Sequence, residues 1–435
     1  MLYIKSKNLY WKNDGKGFNG LLFAFFSSAL IVLGVISPAV TLIAFCLCAG
    51  YLCVTKTEEN YYFMFFMIPF ANIFKISEES SSFFTYLCLI FIIKQVFLTK
   101  EINANFILVF LVYVLYLLFG AFNNITMLIK QAMIPLIVYF FFKNSKSDFK
   151  KVCLYFVYGL IFSSLIAYFK DIIPNMDAYI KFERAYEVEG DVTRFTGLYS
   201  DPNFYSVALI TAFISLALLL FYKKVKYEAF IALILFVIFG FQTISKSFFL
   251  MLGVVLVLFG ILLFRNKKAL WGLFYSISLI IVVYLVLGGY IGFTDNIMAR
   301  FKEGADLTTG RVDIWVTYRE YLSQNLLRLS FGAGMGAPEL GNASHNTYID
   351  FLYYYGIIGT ILFLFVCYLA SRQTRKNKKT LVNIIPAACV ITMMVFLSAL
   401  QSFDFPFILI LIIYAYQIKF DKEEFCQDNT IKTIK

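Results

Sequence analysis

Charge is scarce in this chain, and histidine scarcer still. Of 435 residues, 15% are charged and one is a histidine, where an average soluble chain is about 25% charged. That shortage excludes a conventional water-soluble domain, because 60% hydrophobic and 19% aromatic residues exceed what a globular interior can hide. One histidine leaves no His pair for a transition metal. Cys46 and Cys48 have no second cysteine pair or histidine nearby, so packing is the better reading and no metal site is expected. The other cysteines also lie in apolar runs, except Cys426 in the polar tail, and no disulfide framework is legible. No cofactor motif stands out.

What is present is long apolar runs, with a mean hydropathy of +0.76. The formal charge of +11 is scattered in short clusters between those runs. Such clusters are how a membrane protein carries its topology signal, so nucleic acid is not an expected partner. A spanning helix needs about 20 apolar residues, or about 17 at the short end. On that basis the candidate spans are 20–36, 38–54, 61–76, 82–98, 105–122, 128–142, 152–169, 203–221, 229–244, 247–264, 270–290, 346–370, 380–400 and 403–418. The expected fold is an all-α polytopic membrane protein, one membrane domain over 1–435, with about fourteen transmembrane helices. The first run follows a Lys-bearing leader without a small-residue cleavage site, so it is expected to remain as a span.

Basic residues orient the bundle. With the N-terminus inside, the inner segments hold 25 Lys and Arg and the outer ones 11, and nine of those 11 fall in two long loops, 170–202 and 291–345. Both termini are therefore expected in the cytoplasm. Loops of this length are usually functional or disordered. The second carries Arg311, Trp315, Tyr318, Leu322 and Leu326 at helical spacing, which reads as an amphipathic helix on the outer membrane surface.

Lysine follows the inside rule and arginine reverses it. Arg184, Arg194, Arg300, Arg311, Arg319 and Arg328 are outside, with Arg265, Arg372 and Arg375 inside. Topology needs only charge, whereas the planar guanidinium suits phosphate or carboxylate. Chance in a sample of nine, helped by surface pairs such as Glu183–Arg184, is the bland alternative. Three motifs favour an anion site. Arg194 to Asn203 closes the first loop with Asp201-Pro202, a helix start. Ser245-Lys246-Ser247 turns between two spans, and Ser344-His345-Asn346-Thr347 ends the second loop. All three stand at outer helix N-termini, whose free N–H groups favour an anion. Caps and turns alone would explain each singly. A lone histidine is more often structural, but His345 stands at a loop–helix junction where a proton acceptor near neutral pH is useful. Gly332-Ala-Gly-Met-Gly336 lacks the strand and Lys-Ser/Thr of a phosphate loop and reads as a flexible turn.

At these residues the sequence resembles the O-antigen ligase and polymerase superfamily of bacterial envelope glycan enzymes. The matching pieces are Arg194…Gly197…Pro202-Asn203, Ser245-Lys246, Gly310-Arg311…Trp315, Gly332-Ala-Gly334, His345-Asn346 and Gly356-Ile-Ile-Gly359, over roughly residues 150–370. Lys246 departs from the family's usual arginine. The resemblance implies a metal-independent membrane glycosyltransferase in the bacterial cytoplasmic membrane. Its donor would be a glycan on undecaprenyl pyrophosphate and its acceptor a sugar hydroxyl, with membrane lipid around it and a chain-length regulator or flippase as further partners. In that picture His345, Arg194 and Arg311 are catalytic, and Lys246, Ser245, Asn203 and Asn346 bind substrate. A polymerase is favoured, with a ligase acting on lipid A-core as runner-up. A flippase is the rival from another class, against which stand the absence of a mid-span acidic pair and of a repeat between halves.

Overall fold

The computed structural model describes residues 19–120, 125–144, 148–180, 184–187, 190–221, 227–263, 311–334, 337, 340, 344–372 and 405–417. The expected spans 270–290 and 380–400, both termini and Arg300 lie outside them. Seven helices lead the chain: α1 Gly20–Gly34, α2 Pro38–Val54, α3 Thr57–Met67, α4 Phe83–Leu98, α5 Ala104–Gly120, α6 Ile125–Asn144 and α7 Phe149–Tyr168. A single turn, α8 Met176–Tyr179, precedes strands β1 Arg184–Glu187 and β2 Gly190–Thr193. Then come α9 Pro202–Phe221, α10 Tyr227–Gln242, α11 Lys246–Leu263, α12 Arg311–Ser323, α13 Leu326–Phe331, α14 Thr347–Ser371 and α15 Phe405–Gln417.

The chain is a helical membrane protein. Residues 125–144, 149–168, 202–219 and 347–371 are each long and apolar enough to cross a bilayer, and six shorter apolar helices accompany them among the described residues. Two details differ from the expected all-α pattern. Within the first long loop β1 and β2 pair antiparallel, Arg184 opposite Thr193 and Glu187 opposite Gly190. The third span, expected over 61–76, starts earlier and ends at Met67, because Pro69 turns the chain into a 3-10 turn over Ile68–Phe70. Pro38 lies in the first turn of α2 and Pro202 opens α9, whereas Pro135 sits inside α6.

Aromatic rings fill the interior. Phe65 meets Phe141 and Phe407 edge-on, and Tyr61 does the same with Phe91 and Phe141. Such contacts add to the burial of large rings. Polar bonds then sort the helix ends into two levels. At one end Lys94 Nζ donates to the carbonyls of Leu52 and Thr55, both at 2.5 Å, and Asn144 Nδ2 donates to Gln95 Oε1 at 3.1 Å. The start of α5 joins them there, with Asn103 N–H on the Tyr139 hydroxyl at 2.9 Å. At the other end Asn72 Nδ2 donates to the Leu198 carbonyl at 3.3 Å, and the Tyr179 hydroxyl to that of Ile76 at 3.0 Å. Tyr168 donates to Gln242, and the Phe195 amide to the Gln242 carbonyl. This second end gathers both described parts of the long loops.

Of the glycine-rich run, Gly332 and Gly334 are described, and both are closely packed. Gly332 has φ 78° and ψ −178°, and Gly356, inside α14, has φ 62° and ψ −174°. That region of backbone space belongs almost only to glycine. The two lie against each other: a Cβ on Gly332 would come 2.6 Å from Gly356 N, and one on Gly334 2.7 Å from Gly120 O. The Tyr116 hydroxyl reaches the Phe331 and Tyr355 carbonyls, and Ala333 N–H bonds the Tyr353 carbonyl at 2.6 Å. Carbonyls freed by the break in α14 are thereby satisfied. Gly332→Ala or Gly356→Ala is expected to cost about 1–3 kcal/mol in backbone strain alone, with the clash added. It should lower the melting temperature in detergent, while Gly253→Ala, which meets nothing within 4 Å, should not.

A helix does cover Arg311–Ser323, where the sequence places the apolar stripe. Tyr318 and Leu322 are buried along α12, but Leu326 is 78% exposed. The stripe stops because Asn325 opens a new helix, its Oδ1 accepting Leu327 N–H at 2.8 Å.

Candidate functional site

The first long loop ends by burying an arginine. Arg194 follows β2 and is 2% exposed. Its Nε donates to the Thr243 carbonyl at 3.0 Å, and Nη2 lies 3.5 Å from Asn203 Oδ1. Because a guanidinium carries only donors, the carboxamide atom facing it must be the oxygen. That oxygen also accepts Ser245 Oγ at 2.7 Å and Ser247 Oγ at 3.2 Å, while the two hydroxyls lie 2.6 Å apart. Asn203 thus joins the start of α9 to the start of α11.

Local chemistry explains why the chain enters this cluster. Asp201 caps α9 by accepting Asn203 N–H at 2.5 Å, ahead of proline at the first helical position. Gly197 has φ 57°, and a Cβ there would sit 2.7 Å from the Tyr205 ring. Thr243 Oγ1 binds the Gly240 carbonyl at 2.6 Å, and Ser206 Oγ reaches Thr243 Oγ1 at 3.2 Å. The next residue, Ile244, is held at φ 48°. A β-branched side chain there is strained, and such strain persists only where the surroundings over-determine it. Lys246, the first residue of α11, is half-buried.

The second set of bonds surrounds the sole histidine. Trp315 Nε1 donates to the Ser344 carbonyl at 2.8 Å, and Ser344 Oγ donates to Asp350 Oδ1 at 2.6 Å. Asn346 is the N-cap of α14, its Oδ1 accepting Tyr348 N–H at 3.0 Å and Ile349 N–H at 3.4 Å. Between them His345 is half-buried at φ 50°. Arg311, one helical turn before Trp315, opens α12 and is half-buried.

No family model, curated protein or solved structure matches this chain.

The motifs expected to form one patch occupy the same end of the bundle and fall into two sets of hydrogen bonds. Arg194, Asn203 and Ser245 meet in the first, and Lys246 follows it in the chain. His345 and Asn346 belong to the second, which Arg311 adjoins through α12. Asn346 spends its oxygen on the helix cap. Among the described residues no three His, Cys, Asp or Glu groups converge on a point. Sequence reasoning missed Thr243, whose carbonyl holds the arginine, and Asp350, which is 3% exposed. Asp350 did leave a signal, being the lone acid in the apolar stretch of α14.

Proposed function

We propose that this protein polymerises oligosaccharide repeat units carried on undecaprenyl pyrophosphate, at the outer face of a bacterial cytoplasmic membrane. The observation that carries this reading is the seat of Arg194, a guanidinium locked between Thr243 and Asn203 where α9 and α11 both begin. A fixed cation beside helix N-termini suits an anion that gains charge as it leaves. In the reaction an acceptor sugar hydroxyl attacks the anomeric carbon with inversion. The bond from that carbon to the phosphate oxygen breaks, undecaprenyl pyrophosphate departs, and the hydroxyl proton passes to His345. Arg194 and Arg311 stabilise the departing pyrophosphate, with Lys246 assisting. Ser245 and Asn203 hold the fork in position, Asn346 secures the turn bearing His345, and the Phe-rich bundle provides an apolar path for the lipid.

Cells lacking the protein should accumulate single lipid-linked repeat units on the outer leaflet. Accumulated polymer would point instead to a ligase, and units confined to the inner leaflet to a flippase. Sidedness gives an independent check. A reporter active only in the cytoplasm is expected to work when fused after Lys151, Lys226 or Lys378 and to be silent after Glu189 or Gly341. Activity at Glu189 would put the site on the wrong face.

A further inference from the structure

We infer that Asp350 and Ser344 are positioning residues for His345, an inference that rests on the proton-accepting role proposed for that histidine. The case begins with the backbone. At φ 50°, His345 occupies the left-handed region, which an L residue other than glycine enters at a cost and keeps only when its neighbours are pinned. Both neighbours are. Upstream, the Ser344 carbonyl takes the Trp315 indole N–H and the Ser344 hydroxyl donates to Asp350 Oδ1. Downstream, Asn346 is fixed by its cap on α14, and its own N–H donates to Ser344 Oγ at 3.0 Å. The serine hydroxyl is the hub: from the residue before the histidine it reaches Asn346 and Asp350, both after it.

Helix capping alone does not require Asp350. Asn346 already serves the first free N–H groups of α14. Asp350 stands one turn further along, and side chains of a helix lean toward its N-terminus. That brings a buried carboxylate back over the turn, where its partner is the residue just before His345. An acid 3% exposed in an apolar helix is costly to keep. Aiming the imidazole gives it a use that capping does not.

The single histidine makes the test direct. Full-length protein labelled with ¹⁵N-histidine in lipid nanodiscs gives one set of His signals. Ser344→Ala and Asp350→Ala should both shift or broaden them. Asp350→Asn, which keeps an acceptor for the serine hydroxyl, should restore them toward wild type, and Ser163→Ala in α7 should leave them unmoved. In glycan transfer Asp350→Ala and Ser344→Ala should each lower kcat about tenfold or more, with KM for the lipid-linked donor unchanged. The double variant should be no worse than the worse single one. Unmoved histidine signals in Ser344→Ala and Asp350→Ala, or additive losses of kcat, would overturn the inference. If Asp350→Ala cannot be purified, Ser344→Ala decides, since it removes only the hydroxyl. If the wild-type protein transfers no glycan, the proposed function fails, and the histidine signals alone judge the positioning.

Discussion

Replacing Arg194 by lysine is expected to cut glycan transfer by roughly 10²–10³-fold, the usual loss when a preorganised transition-state donor is removed. The geometry explains why a charge-conserving change is not conservative. Arg194 sends Nε to the Thr243 carbonyl and Nη2 toward Asn203 from one rigid plane, and an ammonium on a flexible stem cannot hold both directions. Arg311→Lys should lose a comparable amount, whereas Lys246→Arg should be tolerated. Polymer length on gels and single-turnover transfer in proteoliposomes, at matched protein levels, are the measurements. Because Arg194 is buried, thermal melting should be recorded alongside. A slow variant that melts like wild type locates the loss in chemistry. Normal polymerisation by both Arg→Lys variants would remove the arginines as a pyrophosphate clamp.

Replacing His345 by alanine is expected to abolish transfer or reduce it by about 10²–10⁴-fold, the range for loss of a positioned general base. Insertion and binding of the lipid-linked donor should persist, since the Arg194 cluster is held by bonds that do not involve the histidine. Chelator should leave the wild-type protein active, because the proposed mechanism neutralises the leaving group with guanidinium groups. His345→Gln separates the remaining possibilities. It keeps a hydrogen-bonding side chain of similar reach but cannot usefully accept a proton. Full activity in that variant would reduce the histidine to an orienting group, leaving the mechanism to the arginines and the helix ends.

Much of the architecture was legible because membrane helices write their own length. Apolar runs, with helix starts such as Asp201-Pro202, placed most described helices within a few residues. The misplaced third span came from reading hydropathy through Pro69. Arg194, Asn203 and Ser245 were legible as a group because each adjoins a helix start on the same side. Thr243 was not, for it contributes a carbonyl, and every residue has one. The left-handed backbones at Ile244 and His345 were equally silent, since nothing in an isoleucine or histidine foretells that conformation. Asp350 was overlooked because its partner Ser344 lies outside the helix. The fit of Gly332 on Gly356 depends on how α14 breaks, which local composition does not encode.

The seat of Gly334 on the end of α5 also sets a timetable for the protein's manufacture. Chains grow at about 5–20 residues per second and fold from the N-terminal side first. Gly334 therefore reaches Gly120 roughly 200 residues later, on the order of 10–40 s after α5 is complete. During that interval α5 has no turn docked on its end, and the Tyr116 hydroxyl awaits the carbonyls of Phe331 and Tyr355. A chain arrested within that interval after residue 250 carries Arg194 and the Ser245 turn but no seated histidine. Ribosome-stalled intermediates should then hold their first helices inserted and show no transfer, which ties the onset of activity to the arrival of α14.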